Sequence, residues 1–317
     1  MRKRVSGVAA IAVACALAWW FIPLHHARVG WAAAIASAPS GAARYSWTDW
    51  SAIRTSLGSP PAATLESRAY DADLLETTAL RGASADLATL GLTLDDIDSE
   101  MFVQADAGDA DILRLTRTVD PSTWKGWTKS GSHWTSPLSV TNEVLANVQL
   151  ADGGRTLIAA NLTGYLATAV QALGQSNPVP DTVAGSPLSA FTYSGDYVCS
   201  ALAMSHASSA DQSSAQDLIA RAGEVDPIAS FSLARWSPSR VTVTLGFGSH
   251  DVAVANANSR SSLAVGAAPG LVGTFASRFT LGQVSATGAV VSMNLSPVDG
   301  APLMGELSSG PVLFATC

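Results

Sequence analysis

Charge is scarce in this chain, lysine nearly absent, and compact catalytic signatures are missing. Only 14% of the 317 residues are charged, three of them lysines, and cysteine occurs three times. A hydrophobic content of 48% is too high for a disordered protein. No Gly-x-Ser-x-Gly elbow, His-Glu-x-x-His helix, phosphate-binding Walker loop or Gly-x-Gly-x-x-Gly fingerprint occurs. The enzyme classes that depend on those spacings are thereby excluded as simple readings. Three of the 18 basic residues are Arg2, Lys3 and Arg4, which leaves 15 against 25 acidic residues in the rest. An acidic body repels phosphate backbones, so nucleic acid is not expected as a partner.

What the sequence does have is a long apolar start. From Val5 to Leu24 no charged residue occurs in twenty positions. At 1.5 Å per residue, such a helix covers the ~30 Å hydrocarbon core of a bilayer. Trp19 and Trp20 near its far end suit an interfacial belt. We read 1–24 as a cytoplasmic tip and uncleaved transmembrane anchor, with the bulk of the chain outside the cytoplasm. A competing reading is a cleaved signal peptide, with small residues at Ala34/Ala36 or Ala36/Ala38, giving a secreted product. A lipoprotein reading through Cys15 is weaker, because the usual Leu three residues earlier is lacking and apolar residues continue beyond it.

Residues 25–44, small and mostly uncharged, read as a tether. Structure is expected from Tyr45, with Thr48 or Asp49 capping a short helix that carries Trp50, Ile53 and Leu57. From Met101 the apolar period becomes two. Strands are expected at 102–104 and 112–119, and a helix start at Asp120-Pro121. A hairpin follows around Asp152-Gly153-Gly154, then a helix over 163–173. Beyond a Pro-rich boundary at 175–188, strands are expected at 188–193 and 198–204, a helix at 209–222, two more strands near 229–247 and a helix over 250–265. A hairpin at 279–295 and a terminal strand at 312–315 close the chain. The recurring order makes 101–174 and 188–265 look like diverged copies. The expected fold is therefore α+β: an N-terminal transmembrane helix, then two tandem ferredoxin-like lobes of ββαββα type with antiparallel sheets, at 45–176 and 177–317.

Cys199 and Cys317 form an even pair in an exported chain and read as a disulfide. Ser122 and Lys125 match Ser-x-x-Lys at an expected helix start, but no Lys-Thr-Gly accompanies them, and a capped helix terminus explains the match. His133, His206 and His250 lie far apart in sequence, and neither a metal nor a catalytic triad follows from them. Asp106, Asp109 and Asp111 offer three carboxylates in six residues, yet lack the calcium-loop register and read as an acidic hairpin turn. Asp95, Asp96, Asp98 and Glu100 read as a solvated turn. Trp124, Trp127 and Trp134 read as core in preference to a sugar-stacking platform.

The opening Tyr45-Ser-Trp-Thr-Asp-Trp50, the ending Ser308 to Cys317, and fifteen arginines against three lysines give the chain its resemblance. It resembles uncharacterised actinobacterial exported or membrane-anchored proteins, and no activity comes with that. The functional expectation is a membrane-anchored extracytoplasmic binding or assembly module of the cell envelope. Its partner would be an envelope protein, a glycan or a lipid, with no cofactor, no metal and no assigned catalytic residue. The alternatives are an envelope hydrolase with an unrecognised site and a carrier of a lipid or other apolar ligand.

Overall fold

Runs of alternating side chains dominate the chain beyond residue 43, and in the computed structural model they gather into one sheet. Residues 30–177 and 185–317 are described, and Trp31–Cys317 form a single compact unit. The strands are β1 (Arg44–Thr48), β2 (Ile97–Ala105), β3 (Gly108–Leu115), β4 (Thr128–Ser130), β5 (His133–Thr135) and β6 (Asn147–Ala151). They continue with β7 (Thr156–Ala160), β8 (Ser189–Ser194), β9 (Ser230–Ser237), β10 (Arg240–Gly246), β11 (Phe279–Thr287) and β12 (Val290–Pro297). Their order in space is β11-β12-β10-β9-β8-β1-β2-β3-β7-β6-β5-β4, twelve antiparallel strands.

Both faces of this sheet are buried over most of its width. On one face Phe191, Leu233, Val243 and Met293 sit opposite one another across β8, β9, β10 and β12. On the other, Trp47, Met101, Ile112 and Ile158 do the same across β1, β2, β3 and β7. All eight side chains are buried.

The helices are α1 (Trp31–Ala36), α2 (Trp50–Ser56), α3 (Ala62–Asp71), α4 (Ser84–Thr89), α5 (Thr163–Ala172), α6 (Asp196–Ala201), α7 (Ser209–Ala222), α8 (His250–Leu263) and α9 (Leu303–Ser308). Trp50 and Ile53 of α2 join Leu65 of α3, Leu87 of α4 and Leu113 and Leu157 of the sheet in one core. A second core joins α6–α9 and the C-terminal turn Leu313–Ala315 to β8–β12. Asp49 caps α2 as expected, its carboxylate accepting from the Ala52 N–H at 2.8 Å.

The expected fold needs correction. There are not two ferredoxin-like lobes with separate sheets but one continuous sheet, because Arg44–Thr48, expected as the approach to a helix, is a central strand. β1 pairs with β2 on one side and β8 on the other, joining halves that the expectation kept apart. The expected copies also fail in their stated frames: 101–174 supplies β2-β3-β7-β6-β5-β4, whereas 188–265 supplies β8-β9-β10. A repeat exists in a different frame. Read outward from the centre, β1-β2-β3-β7-β6 and β8-β9-β10-β12-β11 have the same strand order, and the β1–β8 pair lies between them.

Residues 198–204, expected as a strand, contain the end of α6, and within 312–315 Leu313–Ala315 forms a 3₁₀ turn. Part of the expected tether is folded: Trp31 and Ile35 of α1 are buried, and so are Ala38 and Ala42. The expected membrane span at 1–24 lies outside the described residues. Among the described residues no helix is long and apolar enough to cross a membrane.

Cys199 and Cys317 are joined in a disulfide with Cα atoms 5.5 Å apart, closing 118 residues of sequence. The pairing is as expected, although the partners sit on a helix and after a turn. The buried Arg260 of α8 reinforces this closure by donating to the carbonyls of Phe314, Thr316 and Asp226. In the chain-entropy model a closure of this size contributes on the order of 4–5 kcal/mol. Cys199→Ser is expected to lower the melting temperature by about 10 °C in oxidising buffer. It should change little in reductant. Calorimetry under both conditions checks this, and two alkylatable thiols at 199 and 317 in the unreduced protein would refute the closure.

Candidate functional site

Between the two apolar cores the sheet carries a polar row. Arg235, Ser189, Thr48 and Glu100 lie directly opposite one another on β9, β8, β1 and β2, so the seam between halves is lined by groups that apolar packing would exclude. Strands spaced by ~4.8 Å bring these positions side by side on one face. All four side chains are buried.

At the β9 end the row opens into a cleft of about 490 Å³. It is formed by the end of α3 and the loop after it (Asp71, Asp73, Glu76), Arg81, Arg235 of β9 with Pro238 of the following turn, and the segment from Val298 to Gly305 that leads into α9. Asp73 takes a left-handed backbone, φ 57°. Its carboxylate accepts the Met304 N–H at 2.7 Å and pairs with Arg235 at 2.9 Å. Burial pushes Asp73 up to about 6, opposed first by the Met304 N–H and then by Arg235. Burial likewise pulls Arg235 down, against the pull of Asp73. Glu76 accepts from the Ser308 hydroxyl at 2.7 Å, and its backbone carbonyl accepts from Arg44 at 2.8 Å. The loop of the first half is thus stitched to β9 and α9 of the second by charge-assisted bonds. Arg81 stacks on Tyr70 at 4.8 Å on the rim.

At the other end lies a buried pair of carboxylates. Glu100, expected on a solvated turn, is fully buried. It accepts from Trp50 Nε1 at 2.8 Å, the Thr78 hydroxyl at 2.6 Å and the Ala79 N–H at 2.6 Å. Asp111 on β3 is also fully buried, and neither of its carboxylate oxygens has a hydrogen-bond partner among the described residues. Burial holds Glu100 up to about 7 despite those three donors. Burial, and then the negative charge of Glu100, keeps Asp111 well above the usual carboxylate range. The Ile112 N–H opposes this rise and does not cancel it.

The other expected residues fall elsewhere. The Ser122 hydroxyl donates to Asp120 at 2.7 Å, and the Ser122 N–H donates to the same carboxylate, so the pair forms an exposed cap. His133 is in β5, His206 in the turn Met204–His206, and His250 lies against the Gly288 carbonyl at 2.8 Å, so the three do not meet. Asp106, Asp109 and Asp111 do not converge either, because Asp111 points into the core. Among the described residues no group of three His, Cys, Asp or Glu is placed to hold a metal. Trp124 packs on Trp127 and Trp134, with ring centroids 5.6 and 5.1 Å away. Trp124 belongs to the first-half core, with the other two packed against it. Asp73, Glu76 and Arg235 escaped the sequence reading because nothing local marks them. Glu100 was legible in principle, since the period of two that places Phe102 on one face of β2 places Glu100 on the same face.

No family model matches the sequence, and no curated protein does. Among solved structures, crystal form IV of TP0453 is similar with a TM-score of 0.44 and 10% identity, over 87% of this chain and 96% of that one. Crystal form I gives 0.42 and 9%, over 86% and 95%. Both values describe a loose likeness of shape.

The buried carboxyls set a pH dependence. Both carboxyls are pushed up in the fold, so the fold holds protons that the unfolded chain releases; the contribution of Glu100 to stability falls as pH rises through about 7, and that of Asp111 falls in the same direction. Asp111→Asn is expected to be more stabilising, relative to wild type, at pH 8 than at pH 4. Urea unfolding at both pH values measures this. An equal effect at the two would show that the Asp111 carboxyl is not pushed up.

Proposed function

We propose that this protein is an extracytoplasmic binding module of the cell envelope, held at the membrane by the apolar run Val5–Leu24, which engages a cationic partner at the seam cleft. The cleft is the observation that carries the reading. Asp73 and Arg235 neutralise one another, which leaves Asp71, Glu76 and Asp299 against Arg81 along its lining. Exposed Tyr70 and Val298 add apolar surface beside these carboxylates. Carboxylates next to an aromatic ring suit the ammonium or guanidinium of a basic side chain on an envelope protein.

The Cys199–Cys317 disulfide supports an oxidising location. The folded state of α1 supports an uncleaved N-terminus, because cleavage after Ala36 would remove the buried Trp31 and Ile35 from the fold. The cleft lining contains no serine or histidine, so a hydrolase of the Ser–His kind has no nucleophile–base pair there.

Two measurements test the proposal. After an alkaline wash the protein is expected in the membrane pellet, and a soluble mature species beginning near Ser37 would overturn the anchored location. A peptide of alternating lysine and leucine is expected to bind the purified full chain, with Glu76→Gln and Asp299→Asn each weakening it roughly two- to fivefold. Equal affinity in both variants would remove the cleft as the binding site.

A further inference from the structure

The two ends of the sheet are built differently. β4, at one end, is three residues long and carries Lys129. β11, at the other, runs for nine residues, and no strand among the described residues pairs with its outer edge. Between Arg278 and Asp299 no charged residue occurs in twenty positions, and β11 contains no proline. Proteins ordinarily blunt an open edge with charge, proline or shortness, because its unpaired N–H and C=O groups template another strand. The β4 end uses two of these devices; β11 has neither charge, proline nor shortness, and its one irregularity is a bulge between Leu281 and Val284, which leaves 284–287 regular.

The surface around β11 continues the pattern. Leu281, Val284 and Ala286 are partly buried at the margin of the second-half core, which reaches the edge unfinished. The helix α8 packs on β11 and β12. It too is free of charge from Val252 to Ser259, with Val254 49% exposed. A neutral strand edge beside a neutral helix face stands out in a body with 15 basic and 25 acidic residues beyond its first four. Two acidic bodies repel, so a contact between copies belongs where neither presents charge.

We propose that two copies of this chain associate by antiparallel pairing of β11 with β11 about a twofold axis, joining two twelve-stranded sheets into one. This is an isologous contact made by strand addition. With the axis at Ser285, Val284 of one copy lies across from Ala286 of the other, and Gln283 across from Thr287. Every pair is uncharged. Val284 and Ala286 face the core, so each copy completes the other's open margin. About this axis the segment 283–287 pairs with itself, and it offers a charged foreign peptide no opposite sign. This inference does not depend on the cleft.

The test uses the full chain in mild detergent, in a Cys15→Ser background. Light scattering at micromolar concentration is expected to give a dimer, and Ser285→Cys should cross-link to a covalent dimer on mild oxidation. Ser285→Lys places like charges on the axis and is expected to raise the dissociation constant at least about tenfold with an unchanged melting temperature. If that variant fails to fold, Thr287→Lys at the end of the same strand serves. A monomeric parent, or a dimer insensitive to these lysines, would overturn the proposal. So would a monomer that takes up an uncharged extended peptide along β11, which would assign the edge to a foreign strand.

Discussion

The pairing of β1 with β8 is the contact on which the architecture turns. Five residues, Arg44–Thr48, hydrogen-bond to β2 on one side and to β8 on the other. Trp47 adds a bond from its indole to the Pro187 carbonyl at 3.2 Å. Each half supplies five strands in the same spatial order outward from this pair, with β5 and β4 extending the first half. Without β1 the two halves would each expose a long open edge. With it they share one sheet, but the shared strip cannot be apolar throughout, because the side chains at the junction, Arg44, Ser46, Thr48 and Ser189, are polar.

That strip explains where the unusual electrostatics gather. Apolar cores on either side exclude water, so any ionisable group placed between them is desolvated. Asp73 and Arg235 meet this by pairing with each other and with backbone groups. Glu100 meets it with three donors, while burial and the charge of Glu100 push the Asp111 carboxyl upward. Buried ion pairs are weak contributors to stability, since desolvation offsets their attraction. They do fix position, and here they fix the loop after α3 against α9. The cleft is the solvent-facing end of that same polar strip.

Much of the local structure was legible in the sequence. The β6–β7 hairpin around Asp152-Gly153-Gly154, α5, α7, α8 and the β11–β12 hairpin stand where pattern and turn chemistry put them. The failures have a common physical origin. β1 is short, and because both of its faces are buried, Tyr45 and Trp47 alternate with buried Ser46 and Thr48 instead of with solvated residues. Val198–Met204 is an apolar run whose length suits either a strand or a helix turn, and its burial under the second-half core selects the helix. Glu100 was assigned to solvent by its charge alone, although its position in the strand period points inward. The cleft was beyond reach because its residues come from segments more than 150 positions apart, as Asp73 and Arg235 do.

The central place of β1 also has a consequence in time. The strand that emerges early from synthesis finds its second partner only when β8 follows, since the Trp47–Pro187 bond spans 140 residues. At ordinary translation rates that interval is on the order of 10 s. Throughout it the first half holds Tyr45 and Trp47 on a strand with one unpaired edge, next to a polar strip not yet enclosed. Local hairpins form in microseconds, whereas this closure waits on chain delivery. The nascent first half therefore passes through a long adhesive stage, and a holding chaperone would find its binding site there.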